Sequence, residues 1–123
     1  MSKTIKITTD NKISIVDIEF DDYRSFQKAI GGYFETVHTQ RMHDYFGQPM
    51  MMLVDEEGLI KGLPINPCGS WMYGADKHGN IIAGDFVLAV LTEYGDMLPP
   101  ENLEELKVRL VRDFNLQEVT VDG

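Results

Sequence analysis

The chain has a single cysteine, Cys68, among 123 residues, so no internal disulfide can form and the sequence suits a reducing compartment. Basic residues are scarce as well: 11 Lys and Arg stand against 20 Asp and Glu, a formal charge of −9 that opposes approach to a phosphate backbone. No nucleic acid is therefore expected among the partners. No apolar run approaches the roughly 18 residues of a membrane span. The opening "MSKTIKITTDNK" lacks the apolar core of a secretory signal, so the expectation is a cytoplasmic protein with no membrane partner. Also missing are a Walker loop, Gly-x-Gly-x-x-Gly, a Cys-x-x-Cys pair, His-Glu-x-x-His and Gly-x-Ser-x-Gly. Their absence removes the strongest sequence support for most common enzyme classes and for a cofactor.

What is present is an ordinary globular balance, 43% apolar and 25% charged, which excludes disorder and fits one domain over residues 1–123. Ile5 and Ile7, then Ile13 and Ile15, alternate across Thr9-Asp10-Asn11, predicting a hairpin over about 3–20 with room for a bulge near Val16. Tyr23, Phe26 and Ile30 recur at helical spacing between a capping Asp21 or Asp22 and the stop Gly31-Gly32. "YFETVH" at 33–38 returns to β-formers, and 39–49 has no clear period and reads as a loop. Met50–Val54 and Leu59–Lys61 flank Asp55-Glu56-Glu57-Gly58 and read as a second hairpin. Asn66 caps a short helix with Pro67 at its first position, a turn that would carry Trp71 inward. A turn at 76–80 precedes "IIAGDFVLAVLTEY", the candidate central strand at 81–92. Leu103, Leu106 and Leu110 mark an amphipathic helix over about 100–112, followed by a short strand at about 116–121. The fold class is α+β: a small, mostly antiparallel sheet of two hairpins plus a central strand, covered by two main helices. Sheet edges left open by so small a sheet suggest a homodimer or higher oligomer.

Chemistry-bearing residues are few. His38 and His43 stand with Asp44, and a metal site that adds His78 can be drawn, although the spacing matches no metal motif and surface histidines explain it as well. Cys68, at a helix start where the dipole lowers a thiol pKa, is either a nucleophile or a small buried side chain. Glu35 and Asp85 lie in or beside apolar strands, as acid–base groups or as members of a solvated face. Met50-Met51-Met52 reads as core filler. Arg41 with His38, His43 and Tyr45 forms a basic, aromatic patch suited to the phosphate of a small nucleotide, or else an incidental loop charge.

"AIGGYFETV", "LVDEEGLIKGLPINPCGSWMYG" and "IIAGDFVLAVL", in that order, resemble domain-of-unknown-function family 3846, short proteins of phages, plasmids and bacterial hosts. The most specific elements are Gly31-Gly32-Tyr33-x-Glu35, Asn66-Pro67 and Gly84-Asp85, and Cys68-Gly69-Ser70 departs from the small residue and alanine usual after Asn-Pro. The resemblance implies a mobile-element setting, in which small acidic proteins act against host systems. It leads to the expectation of an anti-defence protein that sequesters a small nucleotide-like immune signal without catalysis. The expected ligand set is Gly32, Tyr33, Glu35, His38, Arg41, His43, Asn66, Trp71 and Asp85, with no metal. Arg41 and the histidines would meet phosphate, Trp71 or Tyr33 would stack, and Glu35 or Asp85 would accept from base or ribose. Two alternatives stand beside it: an acidic host-takeover or anti-restriction protein acting on a host protein by contact, and a small metal-dependent phosphodiesterase.

Overall fold

The computed structural model describes residues 2–120. The opening isoleucines form the expected hairpin: β1 (Ser2–Ile7) runs antiparallel to β2 (Lys12–Ile18), in register from Ser2 opposite Ile18 to Ile7 opposite Ile13. The register is unbroken at Val16, so there is no bulge. The mixed apolar pattern has another cause. Ile13 and Ile15 pack into one cluster and Val16 and Ile18 into another, because helices cover both faces of the sheet.

α1 (Tyr23–Ile30) starts where Asp22 accepts from the Arg24 amide and stops at Gly31, whose φ of 93° favours glycine. It buries Phe26 and Ile30 on one face. β3 (Phe34–Val37) follows, and then comes a departure from expectation: residues 40–46 are not a loop but α2 (Gln40–Phe46). Thr39 caps it, Gly47 ends it, and only Met42 and Phe46 are buried, too short a stretch for a helical period to show. β4 (Met50–Asp55) is buried along its whole length. Its partners are β3 and, on the other side, β5 (Phe86–Leu91). The expected second hairpin is therefore corrected, since Leu59–Lys61 lie in a turn rather than in a strand beside β4.

α3 (Pro67–Tyr73) is capped by Asn66 with Pro67 in its first turn, as the sequence indicates. The 76–80 turn is instead α4 (Ala75–His78), bounded by two glycines. The central strand is shorter than 81–92, because Gly84, at φ 97°, separates Ile82 and Ala83 from β5. β6 (Met97–Leu98) pairs with the end of β5, α5 (Leu103–Phe114) closes one face, and β7 (Gln117–Glu118) lies parallel to the start of β2. The result is an α+β fold whose sheet order is β3-β4-β5-β1-β2-β7, antiparallel except at β7. α2, α3 and α5 cover one face with Phe46, Met72 and Leu110, and α1 covers the other. No helix among the described residues is long and apolar enough to cross a membrane.

Candidate functional site

The nine residues expected to bind a ligand fall in separate regions. Gly32, Tyr33 and Glu35 sit where α1 turns into β3. A side chain at Gly32 would strike the Lys61 ammonium and the Asp55 carboxylate, which form an ion pair of 2.7 Å with Asp55 almost wholly buried. Tyr33 and Glu35 are exposed. Asn66 is fully buried. Its Nδ2 donates to the carbonyls of Ile7 (3.2 Å) and Gly84 (3.1 Å) while its Oδ1 accepts from the Gly69 amide (3.0 Å), so no group remains for a ligand. Asp85 accepts from the Thr9 amide and lies 3.7 Å from Lys6 Nζ. His38 and His43 are exposed. Only Arg41 and Trp71 meet directly: the guanidinium lies 4.8 Å from the indole centroid, and Nη1 donates to the Trp71 carbonyl at 2.8 Å.

That meeting point opens onto an aromatic cleft. Arg41 and Tyr45 are four residues apart on α2 and so share a face, which packs against the exposed side of α3 and the end of α5. Tyr45, Trp71 and Phe114 converge there, with ring centroids 5.4–6.0 Å apart. Trp71, expected to turn inward, remains 40% exposed because α3 presents it at the rim, where it edges the cleft. The cleft measures about 490 Å³ and is also lined by Asn11, Pro67, Cys68 and Asp113.

The electrostatics are closed within the protein. Tyr45 donates to Asp113 at 2.7 Å, and burial together with that bond pushes its hydroxyl pKa up, so it stays protonated. Arg112 and Tyr45 hold the Asp113 carboxyl below the usual range, and Arg109 stacks 4.1 Å from the Tyr45 centroid. Arg41 is gripped by Asp76 from α4, Nη2 to Oδ2 at 3.2 Å, which lowers the Asp76 pKa. The helix start does not activate Cys68: burial pushes its thiol up to about 12, which leaves it protonated and without nucleophilic character at neutral pH. His78 is bonded to the Tyr73 carbonyl and the Asn80 amide. Among the described residues, no three His, Cys, Asp or Glu side chains gather to hold a metal, so the site drawn from His38, His43 and His78 does not assemble.

Phe114 and Asp113, which line the cleft, and Arg109, which stacks on Tyr45, are residues that the sequence reading missed. Phe114 extends the α5 stripe by one step beyond Leu110, a signal that was available. Asp113 and Arg109 carried none, since an i,i+4 charge pair is ordinary on an exposed helix face.

Comparison with known proteins finds one family: residues 1–111 match Domain of unknown function (DUF3846). No curated protein and no solved structure gives a significant match.

Proposed function

Because the chain belongs to the family Domain of unknown function (DUF3846), whose description names no activity, we propose from the geometry that it is a non-catalytic binding protein. It captures a small nucleotide-like ligand in the cleft between α2, α3 and α5. The observation that carries this reading is the convergence of Tyr45, Trp71 and Phe114 on a recess of about 490 Å³. Recesses of about 300–1,000 Å³ lined by aromatic rings are the usual form of a small-molecule site. A planar base stacks on such rings without requiring a particular sequence of hydrogen bonds, at about 1–3 kcal/mol per base. The lining groups suit capture rather than turnover: the Cys68 thiol is protonated, the Tyr45 hydroxyl is committed to Asp113, and Asp113 is held by arginine.

Arg41 is the phosphate-binding group, and Asp76 competes for it. A phosphate must displace the Asp76 carboxylate from the guanidinium, so the base contributes first and the phosphate second. The mobile-element setting of the family resemblance supplies a use for such capture, the removal of a nucleotide signal from a bacterial defence system.

The test is thermal melting against nucleosides and linear and cyclic nucleotides, followed by mass spectrometry of the molecule released on denaturation. A ligand at a hundredfold excess over its Kd stabilises the native state by about 2.7 kcal/mol. Trp71→Ala removes the shift, and Asp76→Asn strengthens binding of nucleotides more than of nucleosides. An intact released ligand supports capture. A chemically altered one, or no shift across the panel, overturns the reading.

A further inference from the structure

Outside the cleft, the turn after β4 holds two large aliphatic side chains in water: Leu59 is 65% exposed and Ile60 85%. From this turn we infer a docking knob for a partner protein that offers an apolar socket ringed by lysine or arginine. The inference gives a location to the acidic-contact alternative and does not depend on the cleft.

The turn is built to hold those side chains outward. Gly58 donates to the Asp55 carbonyl, Lys61 to Glu57, Gly62 to Leu59 and Leu63 to Gly58, with N···O distances of 2.9–3.1 Å. Lys61 then ties the far side of the turn to the buried Asp55 carboxylate at 2.7 Å. Gly58 is buried so closely against the Ala83 carbonyl that a Cβ there would lie under 3.0 Å from it, which fixes the turn to the segment before β5. Leu59 and Ile60 are therefore presented by a preorganised backbone, the condition under which an exposed apolar side chain binds with little ordering cost. They are not isolated. Together with Ile81 they line a cleft of about 230 Å³, and Tyr33, 66% exposed, lines the neighbouring recess with Glu57 and Lys61 of the same turn. Contiguous exposed apolar surface rimmed by polar groups marks an interaction site.

Charge selects the partner. Glu35 and Glu56 line the same cleft, Glu57 lines the neighbouring one beside Tyr33, and none of the three has an ion-pair partner among the described residues. The one cation in the turn, Lys61, is committed to Asp55. Elsewhere only Lys28 and Lys77 of the 11 Lys and Arg lack an internal carboxylate partner among the described residues, so the acidic rim stands on a surface with almost no free positive charge. A second copy would bring the same carboxylates against themselves, whereas a basic surface is attracted and steered.

A photo-crosslinking residue placed at position 60, with an equally exposed control at Tyr94 on the β5–β6 turn, tests this in bacteria that express the chain. The captured protein is then purified and titrated calorimetrically against the wild type, against Leu59→Ser with Ile60→Ser, and against Glu35→Lys with Glu56→Lys. The expected result is a partner crosslinked from position 60 and not from 94. Its affinity falls at least tenfold with either double variant, falls with added salt, and is unchanged by Trp71→Ala, which separates this inference from the cleft. Absence of a crosslink, a crosslink only to a second copy, equal capture from position 94, or an affinity indifferent to both double variants overturns it.

Discussion

Substituting Asn66 by alanine and by aspartate separates two roles carried by one buried side chain. Its Oδ1 caps α3 through the Gly69 amide, and its Nδ2 joins β1 to the segment before β5 through the Ile7 and Gly84 carbonyls. Alanine removes the cap, at about 1 kcal/mol. It also takes a donor from two buried carbonyls, at about 1–3 kcal/mol each, for a total of about 3–7 kcal/mol. Against a domain stability of about 5–15 kcal/mol, that is a large share. Aspartate caps a helix as well as asparagine does, so a residue needed only as a cap would tolerate it. Here its second oxygen would face two carbonyl oxygens with no proton to offer, in a position with no exposed surface, so Asn66→Asp is expected to be at least as damaging as Asn66→Ala. Urea unfolding followed by Trp71 fluorescence measures the difference. With a slope of about 2 kcal/mol per molar urea, both midpoints fall by about 1.5 M or more. An Asn66→Asp protein within about 0.5 kcal/mol of the wild type, the range of an ordinary surface change, would refute the two-carbonyl role.

Two further outcomes follow from close contacts. Gly58→Ala forces a Cβ onto the Ala83 carbonyl, a backbone atom that cannot swing aside, and is expected to destabilise by about 1–3 kcal/mol; calorimetric melting at wild-type temperature would contradict it. Cys68, its thiol raised to about 12, is expected to resist a thiol-reactive dye at pH 8 until the protein unfolds. The proton is held more tightly when folded, so the thiol's contribution is complete below pH 9.0 and declines toward pH 12, by about 1.4 kcal/mol per unit. Cys68→Ser removes that part of the alkaline loss, and an unchanged alkaline profile would show that the thiol does not contribute it.

The elements legible in the sequence are those whose signals are local. Asp22 with Gly31 bounds α1, Asn66-Pro67 opens α3, and the alternating isoleucines form β1 and β2, each within a few residues of its own stop or turn. What the sequence does not disclose is pairing across distance. Met50–Asp55 is buried on both faces, so it shows a run without alternation, and a run does not name its neighbours; β3 lies before it across α2, and β5 lies beyond α3 and α4. Gly58 misled for a related reason. A glycine after Asp-Glu-Glu reads as a hairpin turn, yet here it is required by a carbonyl that arrives from residue 83, a contact with no trace in the local pattern.

The same physics divides the candidate sites. Asn66, Gly84, Gly32 and Asp85, residues that carry much of the family resemblance, are committed to buried carbonyls, a tight turn, an ion pair and a backbone amide, so they hold the fold and leave little for a ligand. The aromatic cleft is assembled instead from three helices, and Asp113 and Phe114 lie beyond residues 1–111, the span that matches the family. The end of α5, which carries both residues, therefore lies outside the part of the chain that defines the family match. On the proposed reading, Asp113→Ala is expected to change ligand affinity with little loss of stability, whereas Asn66→Ala is expected to lower stability, and urea unfolding alongside ligand titration of both variants checks the contrast.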